Sequence, residues 1–119
     1  MAYPFWFPDE IFVLGNDNIY ALPLLWGESG RHILPDEIAS ASAKIVVAEA
    51  PSLSWTGQVS IGVSNTGGAV LIVKFPKEVD YTGLSAGNVL YLQAEITLNS
   101  GDKFNFPIPP LRLVVKSPI

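Results

Sequence analysis

Residues 88–98 constrain the fold more than any other stretch of this chain, because apolar side chains occupy every second position there. These apolar residues are Leu90, Leu92, Ala94, Ile96 and Leu98. A period of two is typical of a β-strand with one buried face. Turn-forming residues follow at 99–102, and residues 103–108 then return as a second strand. The sequence therefore predicts one long antiparallel hairpin with a single dry face.

Shorter runs with the same alternation lie before and after this hairpin. The predicted strands are residues 11–14, 19–26, 39–48, 58–64, 69–75 and 111–115. Pro23 predicts a sheet edge or a bulge, because proline cannot donate to the ladder. Two glycines in residues 65–68 join two β-branched runs, which indicates a hairpin. About seven or eight short strands with turns between them predict an all-β fold, a two-sheet antiparallel β-sandwich.

Three connections interrupt the strands. Residues 31–39 are compatible with a helical turn that begins at Pro35 or with coil. Residues 51–57 are predicted as a loop that holds Trp55. Residues 78–87 are predicted as a polar connection with one helical turn near its end.

Prolines and lysines indicate how two strands end. The three prolines in residues 107–110 are predicted to break the ladder before the last strand. Residues 69–73 form the most aggregation-prone window of the chain. Lys74, Pro76 and Lys77 follow this window and are interpreted as gatekeepers against edge pairing.

Composition limits the function classes. With 119 residues the chain fits one domain, and 49% hydrophobic against 15% charged residues is typical of a folded protein. The absence of cysteine excludes disulfides and thiolate chemistry. A net charge of −4, with scattered basic residues, disfavours nucleic acid as a partner. The sequence shows neither a secretory signal nor an apolar run that would span a membrane, so we expect synthesis in the cytoplasm.

The first ten residues are predicted as an extended arm ahead of a β-sandwich domain at residues 11–119. Four aromatic residues, Tyr3, Phe5, Trp6 and Phe7, are combined there with two prolines, which disfavour a helix. Their rings could cover an open edge of their own domain. Alternatively, they dock on a neighbouring subunit, since aromatic side chains are favoured interface anchors. These four residues are the candidate partner-binding residues.

No group of residues meets the minimum for a catalytic or metal site, so we expect no enzyme activity, no cofactor and no metal. His32 is the single histidine, and no nucleophile or orienting group accompanies it. Asp36 and Glu37 are adjacent and do not face one point. Residues 16–18 resemble the start of a calcium loop, but the required glycine and glutamate are missing, and an Asx turn is favoured.

The three tryptophans support an alternative function. Trp6, Trp26 and Trp55 could stack on sugars, which would make the protein a small carbohydrate-binding module. Core or interface positions are the competing interpretation, because an indole ring buries a large area.

The order of these features resembles the immunoglobulin-like domain of bacteriophage tail and baseplate proteins, such as the N-terminal domain of upper baseplate proteins. An early turn at residues 15–18 leads into the apolar residues 20–25, and residues 33–37 precede the strand that includes 41–47. A tyrosine then opens the alternating run 91–97, followed by a glycine turn and the last strand.

This resemblance covers roughly residues 11–116. It implies an immunoglobulin-like sandwich that serves as a virion structural protein, either a tail, baseplate or head–tail adaptor or a decoration subunit. The implied partners are other virion proteins, with copies of the chain assembled as a homo-oligomer. The family has no catalytic residues. This chain departs from the family pattern because the Leu-Thr-Gly step is missing from its expected place, and we expect no fibre or receptor-binding domain to follow.

Overall fold

A computed structural model describes residues 10–26 and 31–117, which contain ten β-strands and one short 3-10 helix, Pro35–Glu37. The strands are β1 (Glu10–Val13), β2 (Asn18–Pro23), β3 (Leu25–Trp26), β4 (Arg31–His32), β5 (Ile38–Val47), β6 (Ala50–Thr56), β7 (Gln58–Val63), β8 (Ala69–Phe75), β9 (Val89–Leu98) and β10 (Lys103–Lys116). The predicted all-β fold is confirmed.

The strands form two main sheets that pack face to face as a sandwich. The larger sheet has the order β1-β10-β9-β5-β6, and the smaller one has the order β2-β8-β7. Strands β3 and β4 pair separately as a two-stranded ribbon. The pairing of β1 with β10 is parallel, and the other pairings among the described residues are antiparallel. Pro23 lies at the end of β2, an outer strand, as the sequence predicted.

The predicted long hairpin is the centre of the larger sheet. Strands β9 and β10 pair antiparallel from Lys103 opposite Thr97 to Phe106 opposite Ala94. The alternating apolar residues of β9 are all buried, so one face of the hairpin is dry. Alternation alone was sufficient here because β9 has a partner strand on each side and a core on one face.

The prolines near the end of the chain interrupt the ladder, as predicted, but they do not end the strand. Strand β10 continues through them as one strand, with a register shift between Phe106 and Leu111. These two residues pair with Ala94 and Leu92, so residues 107–110 bulge opposite Gln93. The Gln93 side-chain amide donates to the Pro107 carbonyl at 3.0 Å, which offsets part of the lost backbone pairing.

The predicted loop at residues 51–57 is wrong, because most of it belongs to β6. Trp55 pairs with Ile45 of β5, and Leu53 and Trp55 pack against the core from one face of the strand. Serine or threonine occupies the positions on either side of Leu53 and Trp55, so apolar and polar residues do alternate with a period of two in this segment. Gly57 follows β6 and the chain crosses there into the smaller sheet as β7.

One further connection differs from the prediction, and another is decided between two alternatives. The helical turn expected near residues 84–87 is absent from the described structure, which has hydrogen-bonded turns there instead. Gly83 and Gly87 adopt positive φ of 97° and 94°, which a right-handed helix cannot include. In residues 31–39 the helical-turn alternative is the one observed: a 3-10 helix begins at Pro35, separated from β4 by two residues. The eight predicted ranges become ten strands, because β3, β4 and β6 were not recognised as separate strands, whereas the predicted strands at 103–108 and 111–115 are one strand, β10.

Five aromatic rings close one end of the sandwich in a continuous series of edge-to-face contacts. Trp55 meets Tyr81 at a centroid distance of 5.4 Å, and Tyr81 meets Phe12 at 5.3 Å. Phe12 then meets Phe75 at 6.0 Å, and Phe75 meets Tyr20 at 6.3 Å. The Tyr20 hydroxyl donates to the Ile11 carbonyl at 2.7 Å. This aromatic series therefore joins β1, β2, β6, β8 and the 78–87 connection.

The buried Tyr20 hydroxyl is expected to make the fold sensitive to alkali. Burial, with smaller contributions from Glu10 and Tyr81, raises the pKa of Tyr20 above its ordinary value. Below about pH 10 the Tyr20 hydroxyl keeps its proton in both the folded and the unfolded chain, and at higher pH the unfolded chain loses this proton first. The free energy of unfolding should then fall by up to about 1.4 kcal/mol per pH unit, as measured by urea unfolding.

The Tyr20→Phe variant provides the control for this pH dependence. Its free energy of unfolding should be about 1 kcal/mol lower than that of the wild type at pH 7, because the hydrogen bond to Ile11 is lost. Above pH 10 its free energy of unfolding should decline less steeply. Tyr81, whose pKa burial also raises, accounts for a remaining slope. An equally steep decline in Tyr20→Phe would contradict the assignment.

Candidate interaction surface

The outer strands of the two main sheets differ in how their free edges are protected. Natural β-proteins guard such edges with charges, prolines or very short strands. Strand β1 carries Glu10, β6 carries Pro51 and β2 ends in Pro23. Strand β7 reads Gln-Val-Ser-Ile-Gly-Val and has neither a proline nor a charge. Within residues 10–26 and 31–117, no strand pairs with the edge of β7 that faces away from β8.

The same strand exposes side chains that point toward the core side of its sheet. Val59, Ile61 and Val63 pair with the buried β8 residues Val73, Leu71 and Ala69, and so share their face. Ile61 is nevertheless 38% exposed and Val63 67% exposed. We call the free backbone edge of β7, together with Ile61 and Val63, the open edge.

The larger sheet explains why these side chains are uncovered. Strand β6 pairs with β5 only between Lys44 and Val47, so among the described residues no strand is paired with the first half of β5 on its outer side. Strand β7 continues from β6 at that end and lies against β5 and the 3-10 helix. The smaller sheet therefore lies over a part of the larger sheet that lacks the outer strand β6.

The sequence did not identify the open edge. It placed the aggregation hazard at residues 69–73, but β8 is the central strand of its sheet and both of its edges are paired. Lys74, Pro76 and Lys77, which were interpreted as gatekeepers, therefore lie at or just after the end of a strand whose two edges are both paired. The signal that marks β7 is the lack of any charge or proline over residues 58–63, and it becomes informative only once the strand order is known.

The candidate partner-binding residues Tyr3, Phe5, Trp6 and Phe7 lie outside the described residues. Their predicted role in docking stays a prediction. The described chain begins at Glu10, which pairs with Leu113 at the outer edge of the larger sheet.

The residues considered for acid–base chemistry have local structural contacts. His32 packs so closely on Gly68 that a Cβ added there would lie 2.7 Å from His32 Nδ1. Glu37 accepts a hydrogen bond from the Leu34 backbone N–H at 2.8 Å, across the 3-10 helix. The Asp36 carbonyl accepts one from the Asn99 side-chain amide at 2.6 Å. These contacts tie the segment before β5 to its neighbours.

The turn between β1 and β2 is held by asparagine and aspartate side chains, but their hydrogen bonds reach back to Val13 and Asn16 or across to Lys77, not two residues ahead as in an Asx turn. Asn18 is buried; its Oδ1 accepts from the Val13 N–H at 2.9 Å, and its amide donates to the carbonyls of Val13 and Asn16, both at 3.1 Å. Asp17 accepts from the Lys77 N–H at 2.8 Å. No group of three or more acidic, histidine or cysteine side chains within the described part of the chain is placed to hold a metal.

Trp55 has the structural position that the sequence favoured. Its ring is half-buried against Tyr81, and its Nε1 donates to the Asp80 carbonyl at 3.0 Å. Trp6 lies outside the described residues, so sugar stacking by that residue stays a prediction.

A shallow polar trough of about 400 Å³ lies on the outer face of the larger sheet. Its described side chains are hydroxyls, amides and one charge of each sign, from Ser42, Lys44, Thr56, Gln93, Glu95 and Asn105. This composition is ordinary for the solvated face of an antiparallel sheet. Of the two surfaces, only the open edge departs from what a solvated sheet normally shows.

Comparison of the chain with protein-family models, with curated proteins and with solved structures gives no match. Among residues 10–26 and 31–117, no helix has the length and apolar character needed to cross a membrane. A functional proposal therefore rests on the fold and on the open edge.

Proposed function

We propose that this protein is a non-enzymatic structural protein that docks other proteins along the open edge. One observation carries the proposal: an outer strand without charge or proline leaves Ile61 and Val63 exposed on the face that should be dry. Such an edge offers unpaired backbone groups and apolar side chains together, which is the combination used when a strand from a partner is added to a sheet.

The assembly proposed for this docking is a virion. The order of elements resembles that of the immunoglobulin-like domains of phage tail and baseplate proteins, and this likeness supports a tail, baseplate or head–tail adaptor or a decoration subunit. In that setting the sandwich is a rigid spacer, and its partners are other virion proteins and copies of itself. The net charge of −4 favours protein over nucleic acid as the docked surface.

Incorporation into phage particles tests this proposal. Val63→Lys places a charge on the open edge, whereas Val79→Lys makes the same change at an exposed position in the 78–87 connection. In particles assembled with each variant, we expect the wild type and Val79→Lys at equal, stoichiometric levels. Val63→Lys should be reduced by about tenfold or more, because a charge at the docking edge disfavours strand addition. Quantitative mass spectrometry of purified particles gives the measurement.

Two results would overturn the proposal. The first is absence of the wild-type protein from intact particles, which would remove the virion assignment. The second is equal incorporation of Val63→Lys and Val79→Lys, which would show that docking does not use the open edge.

A further inference from the structure

The open edge has the chemistry to accept an extended strand, and the chain itself contains a segment with the matching pattern. In an added strand, alternate residues turn their backbone N–H and C=O groups toward the partner, and their side chains all lie on one face. The face available on β7 is apolar at Ile61 and Val63. A suitable donor strand therefore needs apolar side chains and backbone N–H groups at the same alternate positions.

Residues 1–9 meet both requirements. The odd positions Tyr3, Phe5 and Phe7 are aromatic and keep their N–H groups, whereas the two prolines fall at the even positions 4 and 8. Proline is tolerated in an edge strand where its nitrogen faces away from the ladder. Each proline also favours an extended conformation in the residue before it. One side of this segment can thus pair along its whole length, and the other side cannot.

The arm cannot make this pairing within its own domain. If residues 3–7 paired with β7, only residues 8 and 9 would separate Phe7 from Glu10, a span of at most about 11 Å. Glu10 lies in β1, and three strand steps of about 4.8 Å separate β1 from β5 in the larger sheet. Strand β7 follows β6, which flanks β5 on the side away from β1, and β7 itself lies close to β5. A second copy of the chain must supply the arm.

We propose that the open edge of β7 accepts residues 3–7 of a second copy as an added strand, with Tyr3, Phe5 and Phe7 over Ile61 and Val63. This inference names the partner of the docking edge and rests on the proposed function. The arm of each copy leaves from β1, at the opposite side of the sandwich from β7, so the contact joins two different surfaces. Such a contact builds either a closed ring or an open chain of subunits.

Two matched pairs of variants in the full chain test the pairing. On the arm, Phe5→Pro removes an N–H that faces β7, and Trp6→Pro removes one that faces away. On the strand, Val63→Lys charges the apolar face, and Ser60→Lys places the same charge on the opposite face of β7. Light scattering during size-exclusion chromatography, over a range of protein concentrations, measures the association constant. Thermal unfolding confirms that each variant is folded.

The wild type, Trp6→Pro and Ser60→Lys should associate with similar constants. Phe5→Pro and Val63→Lys should each associate about tenfold or more weakly, since each loses a hydrogen bond or apolar contacts at the interface. A wild type that is monomeric at every concentration would overturn the inference. An association constant that is unchanged in Phe5→Pro would also overturn the inference. Equal weakening by Phe5→Pro and Trp6→Pro would overturn it as well, because it would indicate ring contacts without strand pairing.

This outcome is separable from that of the proposed function. A monomeric protein that still enters particles, and does so only with Val63 intact, would reject the second copy as the partner and keep the docking edge. A self-associating protein that is absent from particles would reject the virion assignment and keep the strand addition.

Discussion

Replacing Gly57 with alanine is expected to lower the free energy of unfolding by about 3 kcal/mol, at the upper end of the usual cost of overpacking. Gly57 is the corner where the chain leaves the larger sheet after β6 and enters the smaller one as β7. A Cβ there would lie 2.6 Å from Val73 Cγ1, 2.9 Å from Phe75 Cζ and 3.0 Å from Phe75 Cε1. Both neighbours are fully buried, so neither can move away without disturbing the core. Urea unfolding followed by tryptophan fluorescence measures the loss.

Gly62→Ala is the matched control, because it adds the same methyl group to the middle of β7. Its Cβ would meet the tip of Ile72 at 3.2 Å, and that flexible end can shift. Since alanine is also preferred to glycine inside a strand, we expect a change within about 1 kcal/mol. In a Val73→Ala background, which lacks the closest contact, the cost of Gly57→Ala should shrink. Equal costs for Gly57→Ala and Gly62→Ala would contradict the close approach at the corner.

The requirement at Gly57 shows why the sequence prediction failed between residues 51 and 57. Proline, serine and glycine are abundant there, and a local rule assigns such a segment to a loop. Yet Leu53 and Trp55 stand two residues apart and pack against the core. An outer strand has one partner and is half-exposed, so its alternation is short and weak. Glycine was present because the backbone passes close to Val73 and Phe75, a tertiary requirement that composition does not reveal.

Elsewhere, local pattern predicted the fold because burial followed it closely. The alternation is matched residue by residue in the burial of β8 and β9, and in β5 from Ala41 onward; Ala39 is exposed, next to a register shift between Ile38 and Ser40. The hairpin between β7 and β8 followed from two glycines in a short polar loop. In β10, by contrast, three prolines indicated an interruption, and the bulge opposite Gln93 absorbed them. Local rules therefore locate strands well and judge poorly which irregularities a sheet can accommodate.

The open edge could not be predicted from the sequence for a different reason. Residues 58–63 and 69–73 both read as apolar strands, and the second is the more hydrophobic. Which of them lies at the edge depends on the strand order, and that order is set by contacts distant in sequence. The predicted arm at residues 1–10 was recognised for its aromatic content, but an acceptor for it is found only when β7 is seen to be unprotected.

Replacing Phe75 with alanine should lower the free energy of unfolding by about 3–5 kcal/mol, the range found for removing a buried phenylalanine ring. Phe75 is fully buried at the end of β8, where its ring contacts those of Phe12 and Tyr20. The cavity would open between both sheets, because Phe12 belongs to β1 of the larger sheet and Tyr20 to β2 of the smaller one. Urea unfolding at neutral pH measures the change.

Ile19→Ala is the control for this prediction, since Ile19 lies in the strand next to Phe75 but is 59% exposed. Removing its side chain should change the free energy of unfolding by about 0.5 kcal/mol or less. Phe75→Leu should be intermediate, because a branched aliphatic side chain fills part of the cavity while the edge-to-face contacts are lost. If Phe75→Ala cost no more than Ile19→Ala, the aromatic series could not be what holds the two sheets together at this end. Gly57→Ala would then also cost less than expected, because two of its three close contacts are with the same ring and only the approach to Val73 Cγ1 would remain.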